Sequence, residues 1–430
     1  MLRTVCIGQP DRWRQQRPEH VLGDRDPRQT SSESRLAGNR RRRKAVHAPR
    51  AGMIPSALSQ MRSDPLLIYG ATGFTGKLVV ESAVKRGLRP ILGGRNAARL
   101  DALASTCGLE CRVTSLTDSS ALLRAFDGID VALLAAGPFS ETSAPMVDAC
   151  LKAGVHYLDL TGECAVIERL SSRSADARSR RCMVMPGCGF DVVASDCLVS
   201  HVSRNLTGAV SLAIGLSGLV TPTRGSLRTI AEHAGMAVRT RRGGRYASVP
   251  PSVLRRRFDY GRGDGWSSAV TWGDVATAFH TTGIPNIEVY FEDTATFRAM
   301  LVAGRTFGPL WQVPLAQSWL KAHAEFFPEG PTFAERALHT CVVVAEAETD
   351  RGRRWISRLR TPEAYSISAE TSAAIAERAL RGDVECGFQT PGRVYGPDFI
   401  LQFDGVARED LQPTMHRTNG GDAGATHASA

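Results

Sequence analysis

The stretch "LLIYGATGFTG" (Leu66 to Gly76) joins a short apolar run to three glycines spaced three residues apart. The apolar run predicts a buried strand, and the residues after the glycines predict a helix. Gly70 permits a tight turn, Gly73 lets the backbone approach a pyrophosphate, and Gly76 allows the helix to pack closely on the sheet. The helix amino terminus offers free N–H groups to an anion. The stretch therefore predicts a nucleotide-binding loop, with a purely structural turn as the alternative.

The chain around this loop alternates regularly between strand and helix patterns as far as about Pro186. Helical patterns of ten to fifteen residues separate the short apolar runs, which lie at 65–70, 90–94, 110–114, 130–136, 155–160 and 182–186. Such alternation is typical of βαβ units, whose right-handed crossovers give a parallel sheet with both faces covered. It predicts an α/β fold with a Rossmann-type doubly wound parallel sheet.

The regular alternation of strand and helix patterns ends at about residue 200, which predicts a second, mixed α/β domain. Strand-like pieces at 208–216, 268–273, 284–291, 339–348 and 352–359 alternate with loops rich in Arg and Gly, a helical region at 295–326 and a helix at 367–381. We expect a disordered basic tail (1–62), an NADP-binding Rossmann domain (63–200), a mixed α/β substrate or dimerisation domain (201–360), a segment that packs back on the first domain (361–410) and a disordered tail (411–430).

The net charge of +10 belongs almost entirely to the amino-terminal tail. Residues 1–62 hold fourteen Arg and Lys against five acids, while the rest of the chain holds 39 basic and 38 acidic residues. The tail has too few large apolar residues to form a core, so we interpret it as a disordered extension or the product of an upstream start, with Met53 or Met61 beginning the folded protein. Nucleic-acid binding or a localisation signal is the alternative. We expect no specific nucleic-acid partner and no secretory signal.

The ten cysteines include no C-x-x-C pair, so we expect no metal site and reduced thiols in a cytosol. The longest apolar stretch after the tail, residues 208–220, is too short and too glycine-rich to span a membrane. The sequence therefore predicts a cytoplasmic protein without a membrane span.

The residues after the second predicted strand, "GGRN" (93–96), indicate which dinucleotide the loop would hold. An NAD-specific fold usually has an acidic residue here that binds the ribose hydroxyls. Arg95 instead offers a planar cation that matches a 2′-phosphate, which favours NADP(H). The alternative is a solvated arginine in a turn. The small residues of "LLAAGPF" (133–139) form a turn that can lie along a ribose and nicotinamide.

Five motifs together resemble the saccharopine dehydrogenase-like oxidoreductases, a group that includes the trans-acting enoyl reductases. The motifs are "YGATGFTG", "GGRN", "AAGPF", "GVHYLDLTGE" and "PGCGFDVVASD", and the later "GFQTPGRVYGPDFIL" (387–401) resembles the same group. The resemblance spans roughly residues 65 to 408. It implies an NADP-binding Rossmann domain with a second α/β domain over the carboxyl ends of the strands, and it suggests homodimerisation through that second domain.

The resemblance also implies roles for individual residues. The pyrophosphate would be held by Gly70, Thr72, Gly73, Phe74 and Thr75, and the 2′-phosphate by Arg95 and Asn96. The nicotinamide and its ribose would be lined by Ala136, Gly137, Pro138, Thr161, Gly162 and Glu163. Two departures concern the substrate region: Val192 and Ala194 replace the usual Ser and Pro, and "PTRGS" (222–226) stands where relatives have a Ser-Gly-Gly-Thr turn.

Other catalytic mechanisms lack their motifs in this sequence. No Tyr is followed by Lys four residues later, as the short-chain dehydrogenases require, and neither G-x-S-x-G nor H-E-x-x-H occurs. Hydride transfer remains, in which the protein supplies position and protons. The candidate catalytic residues are Asp191, Glu163 and Tyr157; the alternatives are a helix N-cap for Asp191 and a core position for Tyr157.

Two features of the second domain keep both a functional and a structural interpretation. His233 is either a general acid or a structural histidine. An arginine cluster (Arg239, Arg241, Arg242, Arg245 and Arg255 to Arg257) either meets an anionic substrate or forms a solvated face.

The sequence as a whole favours an NADPH-dependent oxidoreductase. It would reduce a C=C bond in an acyl or polyketide-type substrate, free or bound to an acyl carrier, or a C=N bond in an amino-acid-like one, with the enoyl type preferred. The alternative is a non-catalytic NADPH-binding protein of the same fold.

Overall fold

The computed structural model describes residues 64–219, 223–227, 236–311 and 328–411, with the single positions 313, 318 and 326. The predicted tails lie outside the described residues except for Leu411, as do His233 and most of the carboxyl-terminal part of the helical region 295–326. Both sheets described below belong to one compact unit, Gln60–Ala430.

The first sheet consists of short, parallel and mostly buried strands. They are β1 Leu66–Tyr69, β2 Ile91–Gly94, β3 Cys111–Val113, β4 Val131–Leu134, β5 His156–Asp159, β6 Met183–Met185 and β15 Gly387–Phe388. Their order is β15-β6-β5-β4-β1-β2-β3, and every pair is parallel. All four residues of β1 are buried, and each fully buried aliphatic side chain contributes about 1.5–3 kcal/mol.

Helices connect these strands, and local sequence sets several of their ends. They are α1 Phe74–Lys85, α2 Ala97–Cys107, α3 Ser119–Arg124, α4 Phe139–Ala153, α5 Cys164–Ser171, α6 Ser174–Ser179 and α7 Phe190–Asn205. The side chains of Asn96 and Asp118 accept backbone N–H groups at the starts of α2 and α3. Gly108 and Gly154 adopt the left-handed conformation where α2 and α4 end.

The order of the strands places a crevice next to β1. This strand pairs with β2 on one side and with β4 on the other. The strands that follow β1 in the chain are therefore added first on one side of it and then on the other. In open α/β sheets, ligands bind outside the carboxyl ends of the strands at such a point. The glycine loop after β1 and the turn after β4 therefore face the same crevice.

The second sheet is mixed. Its strands are β7 Ala209–Ser217, β8 Val238–Arg242, β9 Arg245–Val249, β10 Arg255–Asp259, β11 Asp264–Val270, β12 Asn286–Glu292, β13 Thr340–Thr349, β14 Arg354–Pro362 and β16 Ala407–Leu411. The order is β10-β11-β12-β7-β13-β14-β16, with the β8–β9 hairpin attached to β12. Strands β7 and β12 are parallel, whereas β7 and β13 are antiparallel. The predicted fold class, a doubly wound parallel sheet with a second mixed α/β region, is confirmed.

The remaining helices accompany this sheet or return to the first one. They are α8 Asp274–Thr282, α9 Ala295–Trp311, α10 Phe333–Leu338, α11 Ala364–Leu380, α12 Pro391–Val394 and a 3₁₀ helix Phe399–Gln402. Helix α11 packs on α1, and α7 packs on β13, so a continuous core joins the two sheets. No helix in the described part of the chain is long and apolar enough to cross a membrane.

The arginine-rich region contains strands where loops were predicted, so that prediction was wrong. The guanidinium of Arg241 lies 4.3 Å from the ring centroid of Tyr246 and 4.1 Å from that of Phe279, and donates to the carbonyls of Val275 and Gly244. Arg241 therefore behaves as a packed residue, because its guanidinium lies against two rings and donates to backbone acceptors.

Several other arginines of the predicted cluster have carboxylate partners within the chain. Arg242 pairs with Glu288, Arg255 with Asp293, and Arg256 with Glu346. These pairs neutralise much of the positive charge that an anionic substrate would need, so the geometry favours the structural interpretation of the cluster.

Candidate functional site

The glycine loop is held in a tight conformation by backbone contacts. Gly70 has a φ of +88°, and its N–H donates to the carbonyl of Gly93 at 2.9 Å. A Cβ atom on Gly76 would lie 2.1 Å from the carbonyl oxygen of Gly70. A side chain at either position would therefore move the loop or push α1 away from the sheet.

The amino terminus of α1 fits a phosphate group. Its N-cap is Gly73, which makes no side-chain cap, and the first turn contains no acidic residue. The first N–H groups of a helix have no intrahelical acceptor, and the helix dipole favours an anion there. Thr72, Phe74 and Thr75 border this point and are partly exposed. The cradle thus suits a dinucleotide pyrophosphate.

Arg95 and Asn96 stand at the carboxyl end of β2 and are exposed. The side chain of Asn96 accepts the N–H of Arg99 at 3.0 Å and so caps α2, while the guanidinium of Arg95 has no hydrogen bond or ion pair among the described residues. Arg99 and Lys77 lie 3.4 and 3.8 Å from the carboxylate of Glu329. Lys77 and Arg99 are additional basic groups near the loop that the sequence analysis did not single out.

The turn at Ala136, Gly137 and Pro138 lies directly against the glycine loop. A Cβ atom on Gly70 would stand 2.8 Å from the backbone nitrogen of Ala136. The hydroxyl of Thr142 donates to the carbonyl of Ala136 at 2.7 Å, which steadies the turn from the first part of α4. The peptide bond between Gly137 and Pro138 is cis.

Glu163 connects this turn to the loop after β5. Its carboxylate accepts the N–H of Phe139 at 3.0 Å, the residue that follows Pro138. Its own N–H donates to the hydroxyl of Thr161 at 3.1 Å, and the residue is 6% exposed. Glu163 thus orients the backbone of the site and has part of its acceptor capacity in use.

Asp159 organises the ends of β5 and β6, a role that the sequence analysis missed. Its carboxylate accepts hydrogen bonds from the hydroxyl of Tyr157 at 2.7 Å and from the N–H groups of Thr161 and Gly187, both at 2.9 Å. Burial raises the pKa of Asp159 to about 6, against the lowering effect of these donors. A carboxylate at the end of a buried strand was the available signal, because an unpaired charge there would be costly.

Tyr157 occupies a core position instead of facing the crevice. It is fully buried, its hydroxyl is engaged by Asp159, and burial raises its pKa well above the usual value. These contacts favour the alternative interpretation, a structural tyrosine.

Asp191 lies beside the loop that contains Gly162. A Cβ atom on Gly162 would stand 3.0 Å from Oδ2 of Asp191. The N-cap of α7 is Gly189 and no side chain caps the helix, so the alternative interpretation of Asp191 as the N-cap was wrong. Burial raises the pKa of Asp191 to about 7. A carboxyl with that pKa can hold or release a proton near neutral pH.

Residues next to the second sheet cover the crevice. The indole N–H of Trp272 donates to the carbonyl of Asp191 at 2.9 Å, and a Cβ atom on Gly273 would lie 3.3 Å from the carbonyl of Gly162. The rings of Phe74 and Tyr365 are in edge-to-face contact with centroids 5.5 Å apart. The sequence analysis did not single out Trp272 or Tyr365, because their role depends on contacts far along the chain.

The comparisons with known proteins agree with this geometry. Residues 70–168 match a family model described as NAD(P)H-binding. The chain is 32% identical over 157 residues to a trans-acting enoyl reductase of Mycobacterium ulcerans, covering 34% of this chain and 37% of that protein. A trans-acting enoyl reductase of Mycobacterium bovis is 34% identical over 158 residues, covering 33% of this chain and 36% of that protein. The chain thus matches little more than a third of the length of these relatives.

A solved structure extends the similarity of fold to most of the chain. Saccharopine dehydrogenase (L-Glu forming) from Saccharomyces cerevisiae matches with a TM-score of 0.54 and 12% identity, over 81% of this chain and 99% of that one. Together with the relatives, this match confirms the resemblance that the sequence motifs indicated.

Proposed function

We propose that the chain is an NADPH-dependent oxidoreductase of the saccharopine dehydrogenase-like group, which its relatives and its fold support. It would reduce a C=C bond in an enoyl, acyl or polyketide-type substrate, or a C=N bond. One observation carries the proposal: Gly70 contacts Ala136, and Gly162 contacts Asp191, at neighbouring strand ends. A nucleotide loop and a titratable carboxyl therefore share one crevice.

The cofactor that this crevice fits is a nicotinamide dinucleotide, which supplies a hydride when bound. Gly70, Gly73 and the amino terminus of α1 would hold its pyrophosphate, and the turn from Ala136 to Pro138 would hold the nicotinamide ribose. The exposed guanidinium of Arg95 supports a preference for NADP(H), because a 2′-phosphate would give it a partner. Asn96 would border the same phosphate while its side chain caps α2.

The protein's own contribution would be to orient the reactants and to supply protons. Thr161 and Gly162 would line the nicotinamide, since Asp159 fixes their loop. Glu163 would position the turn before α4. Asp191, with a pKa raised to about 7, would exchange a proton near the reaction centre.

The enoyl type of reaction has the better support. The relatives that share the cofactor region are named trans-acting enoyl reductases, and the arginines that would form a carboxylate site for an amino-acid-like substrate mostly have partners. We therefore propose a small-molecule or acyl-carrier-bound substrate. A homodimer formed through the second sheet and a cytoplasmic location complete the proposal.

The departures at Val192 and Ala194 favour a second candidate, a non-catalytic NADPH-binding protein of the same fold. Both side chains are fully buried, so neither would touch a substrate. A binding assay followed by a turnover assay separates the two candidates.

The binding assay is a titration of tryptophan fluorescence with NADPH and NADH, aided by Trp272 beside Asp191. We expect tighter binding of NADPH, and Arg95→Ala to weaken it by about 10–100-fold while leaving NADH binding within about twofold, since a charged hydrogen bond contributes about 1.5–3 kcal/mol. Arg124→Ala, another exposed arginine, is the control. If neither NADPH nor NADH binds, both the oxidoreductase and the non-catalytic binding protein are overturned.

The turnover assay follows NADPH oxidation with enoyl thioesters and cyclic imines. Oxidation with either class supports the oxidoreductase and identifies the bond reduced. Tight NADPH binding without turnover of any substrate would instead support the non-catalytic candidate.

A further inference from the structure

Tyr365 lies between the two halves of the candidate site. It is the second residue of α11, whose N-cap Glu363 accepts its N–H at 2.9 Å. Its ring contacts Phe74, the first residue of α1. One turn further along α11, Ser368 accepts the N–H of Phe190 at 2.8 Å. Residues three apart lie on the same face of a helix, so this face of α11 bridges the glycine loop and the loop before Asp191.

The hydrogen bonds around the phenol permit an arrangement that leaves its hydrogen available. The N–H of Thr223 donates to the hydroxyl oxygen of Tyr365 at 2.9 Å, and the hydroxyl of Ser226 lies 3.1 Å from the same oxygen. The hydroxyls of Thr223 and Ser226 are 3.0 Å apart. When Thr223 donates to Ser226 and Ser226 donates to Tyr365, the phenol oxygen accepts twice and its own hydrogen is not used within this cluster.

We propose that Tyr365 is the proton donor of the reduction and that Ser226 and Thr223 hold and resupply its hydroxyl. This inference rests on the proposed function. It also assigns a role to the "PTRGS" turn (222–226), because Thr223 and Ser226 of this turn both contact the hydroxyl of Tyr365.

The step balances for an α,β-unsaturated thioester. The β-carbon takes a hydride, with its electron pair, from the reduced nicotinamide, the C=C π bond breaks, and the α-carbon takes a proton from the hydroxyl of Tyr365. NADP⁺, a saturated thioester and a tyrosinate result. The tyrosinate then recovers a proton from water through Ser226. The substrate is reduced by two electrons and NADPH is oxidised by two.

Position and chemistry both favour Tyr365 over the other acids of the site. Tyr157 is fully buried, and Glu163 already accepts the N–H of Phe139. Burial raises the pKa of Tyr365, which keeps the phenol protonated at neutral pH, whereas Asp191, with a pKa of about 7, is half ionised there. An enolate is a much stronger base than a tyrosinate, so the transfer runs towards the substrate.

A dedicated proton donor also discriminates between the substrate classes. A protonated imine brings its own proton and becomes a neutral amine after hydride transfer. An enoyl thioester becomes an enolate that must be protonated at carbon. The presence of Tyr365 beside the glycine loop therefore favours the C=C substrate.

The test compares wild type with Tyr365→Phe, which keeps the ring contact with Phe74 and removes only the hydroxyl. We expect NADPH affinity within about twofold of wild type and NADPH oxidation by an enoyl thioester about 100-fold slower, the usual contribution of a general acid. Tyr395→Phe is the matched control, because that hydroxyl donates to the carbonyl of Asp383 in the carboxyl-terminal segment. Ser226→Ala should slow turnover by about tenfold.

The stereochemistry of proton delivery separates a proton donor from a structural tyrosine. In D₂O, wild type should place deuterium on one face of the α-carbon, whereas Tyr365→Phe should scramble it because solvent then delivers the proton.

Each outcome has a clear meaning. Turnover of Tyr365→Phe within about threefold of wild type, with stereospecific deuteration, would overturn the role of Tyr365 and leave the proposed function standing. A wild-type protein that binds NADPH but reduces neither substrate class would overturn the proposed function, and the inference with it.

Discussion

Gly70 and Ala136 are in direct contact across the switch point of the first sheet, where a Cβ atom on Gly70 would stand 2.8 Å from the backbone nitrogen and the Cβ atom of Ala136. This contact joins the loop after β1 to the turn after β4, so one bound dinucleotide can touch both. The space between Gly70 and Ala136 is too small for a side chain on residue 70. It makes the glycine a requirement of the site as well as of the turn.

Gly70→Ala should therefore cost more than backbone strain. Gly87 offers a matched control, because its φ of +82° resembles the +88° of Gly70 while a Cβ atom on Gly87 would meet nothing within 4 Å. We expect Gly87→Ala to lower the free energy of unfolding by about 1–2 kcal/mol, and Gly70→Ala to lower it by a further ~1–3 kcal/mol through the clash. Urea denaturation measures both, and NADPH titration should show loss of binding for Gly70→Ala alone. If Gly70→Ala and Gly87→Ala had the same free energy of unfolding and the same affinity for NADPH, the contact between Gly70 and Ala136 would be contradicted.

Asp191 should make stability depend on pH. Its folded pKa of about 7 lies above the ordinary 3.8, so between these values the folded state holds a proton that the unfolded state has released. The free energy of unfolding should therefore fall as pH rises from about 4 to 7. Asp191→Asn should remove this contribution. The free energy of unfolding of Asp191→Asn minus that of wild type should therefore increase by about 1–4 kcal/mol between pH 4 and pH 8. Denaturation curves at several pH values test this, and a constant difference between the two proteins would disprove it.

Asp159→Asn should loosen the loops after β5 and β6. The amide keeps one acceptor oxygen but places an NH₂ group against the N–H groups or the tyrosine hydroxyl that now donate to Asp159. We expect the free energy of unfolding to fall by about 1.5–3 kcal/mol and NADPH binding to weaken, as judged by urea denaturation and fluorescence titration. The control is Asp127→Asn at an exposed position, which should change neither quantity.

Arg241→Ala should reveal that this arginine is part of the folded framework. The side chain is 4% exposed, stacks between two rings and satisfies two carbonyls. Its removal leaves acceptors unpaired and a cavity, so we expect a loss of about 2–4 kcal/mol in the free energy of unfolding. Arg245→Ala, at an exposed position of the neighbouring strand, should cost less than about 0.5 kcal/mol. Comparable losses in both variants, measured by thermal denaturation, would disagree with the stacking.

The first sheet was predictable because its signals are local. The apolar runs at 65–70 and 130–136 became β1 and β4, and the glycine spacing marked the loop between β1 and α1. The arginine-rich strands were not predictable in the same way. Charged residues indicate a loop until one knows that Arg255 faces Asp293 and that Arg256 faces Glu346, each far along the chain.

In the candidate site, too, some residues could be recognised from local sequence and others only from contacts far along the chain. The candidate cofactor residues were recognisable by type and spacing, since small residues are expected where a backbone approaches a ligand. Tyr365 was not, because a tyrosine in a helix has no distinctive local pattern, and the buried strand that ends at Asp159 indicated only that its carboxylate needs partners. Their partners lie up to 142 residues away.

By itself, the sequence determined the alternation of strands and helices, the glycine loop and the class of cofactor, because steric preferences, capping and hydrophobic periodicity act over a few neighbouring residues. Only the tertiary structure decided that Tyr157 is a core residue, that Asp191 is not a cap, and that Tyr365 meets Phe74 above the glycine loop. The physical reason is that burial, proton affinity and hydrogen-bond partners depend on which segments pack together. That packing places the serine and threonine of one turn against the tyrosine of a helix 139 residues further along the chain.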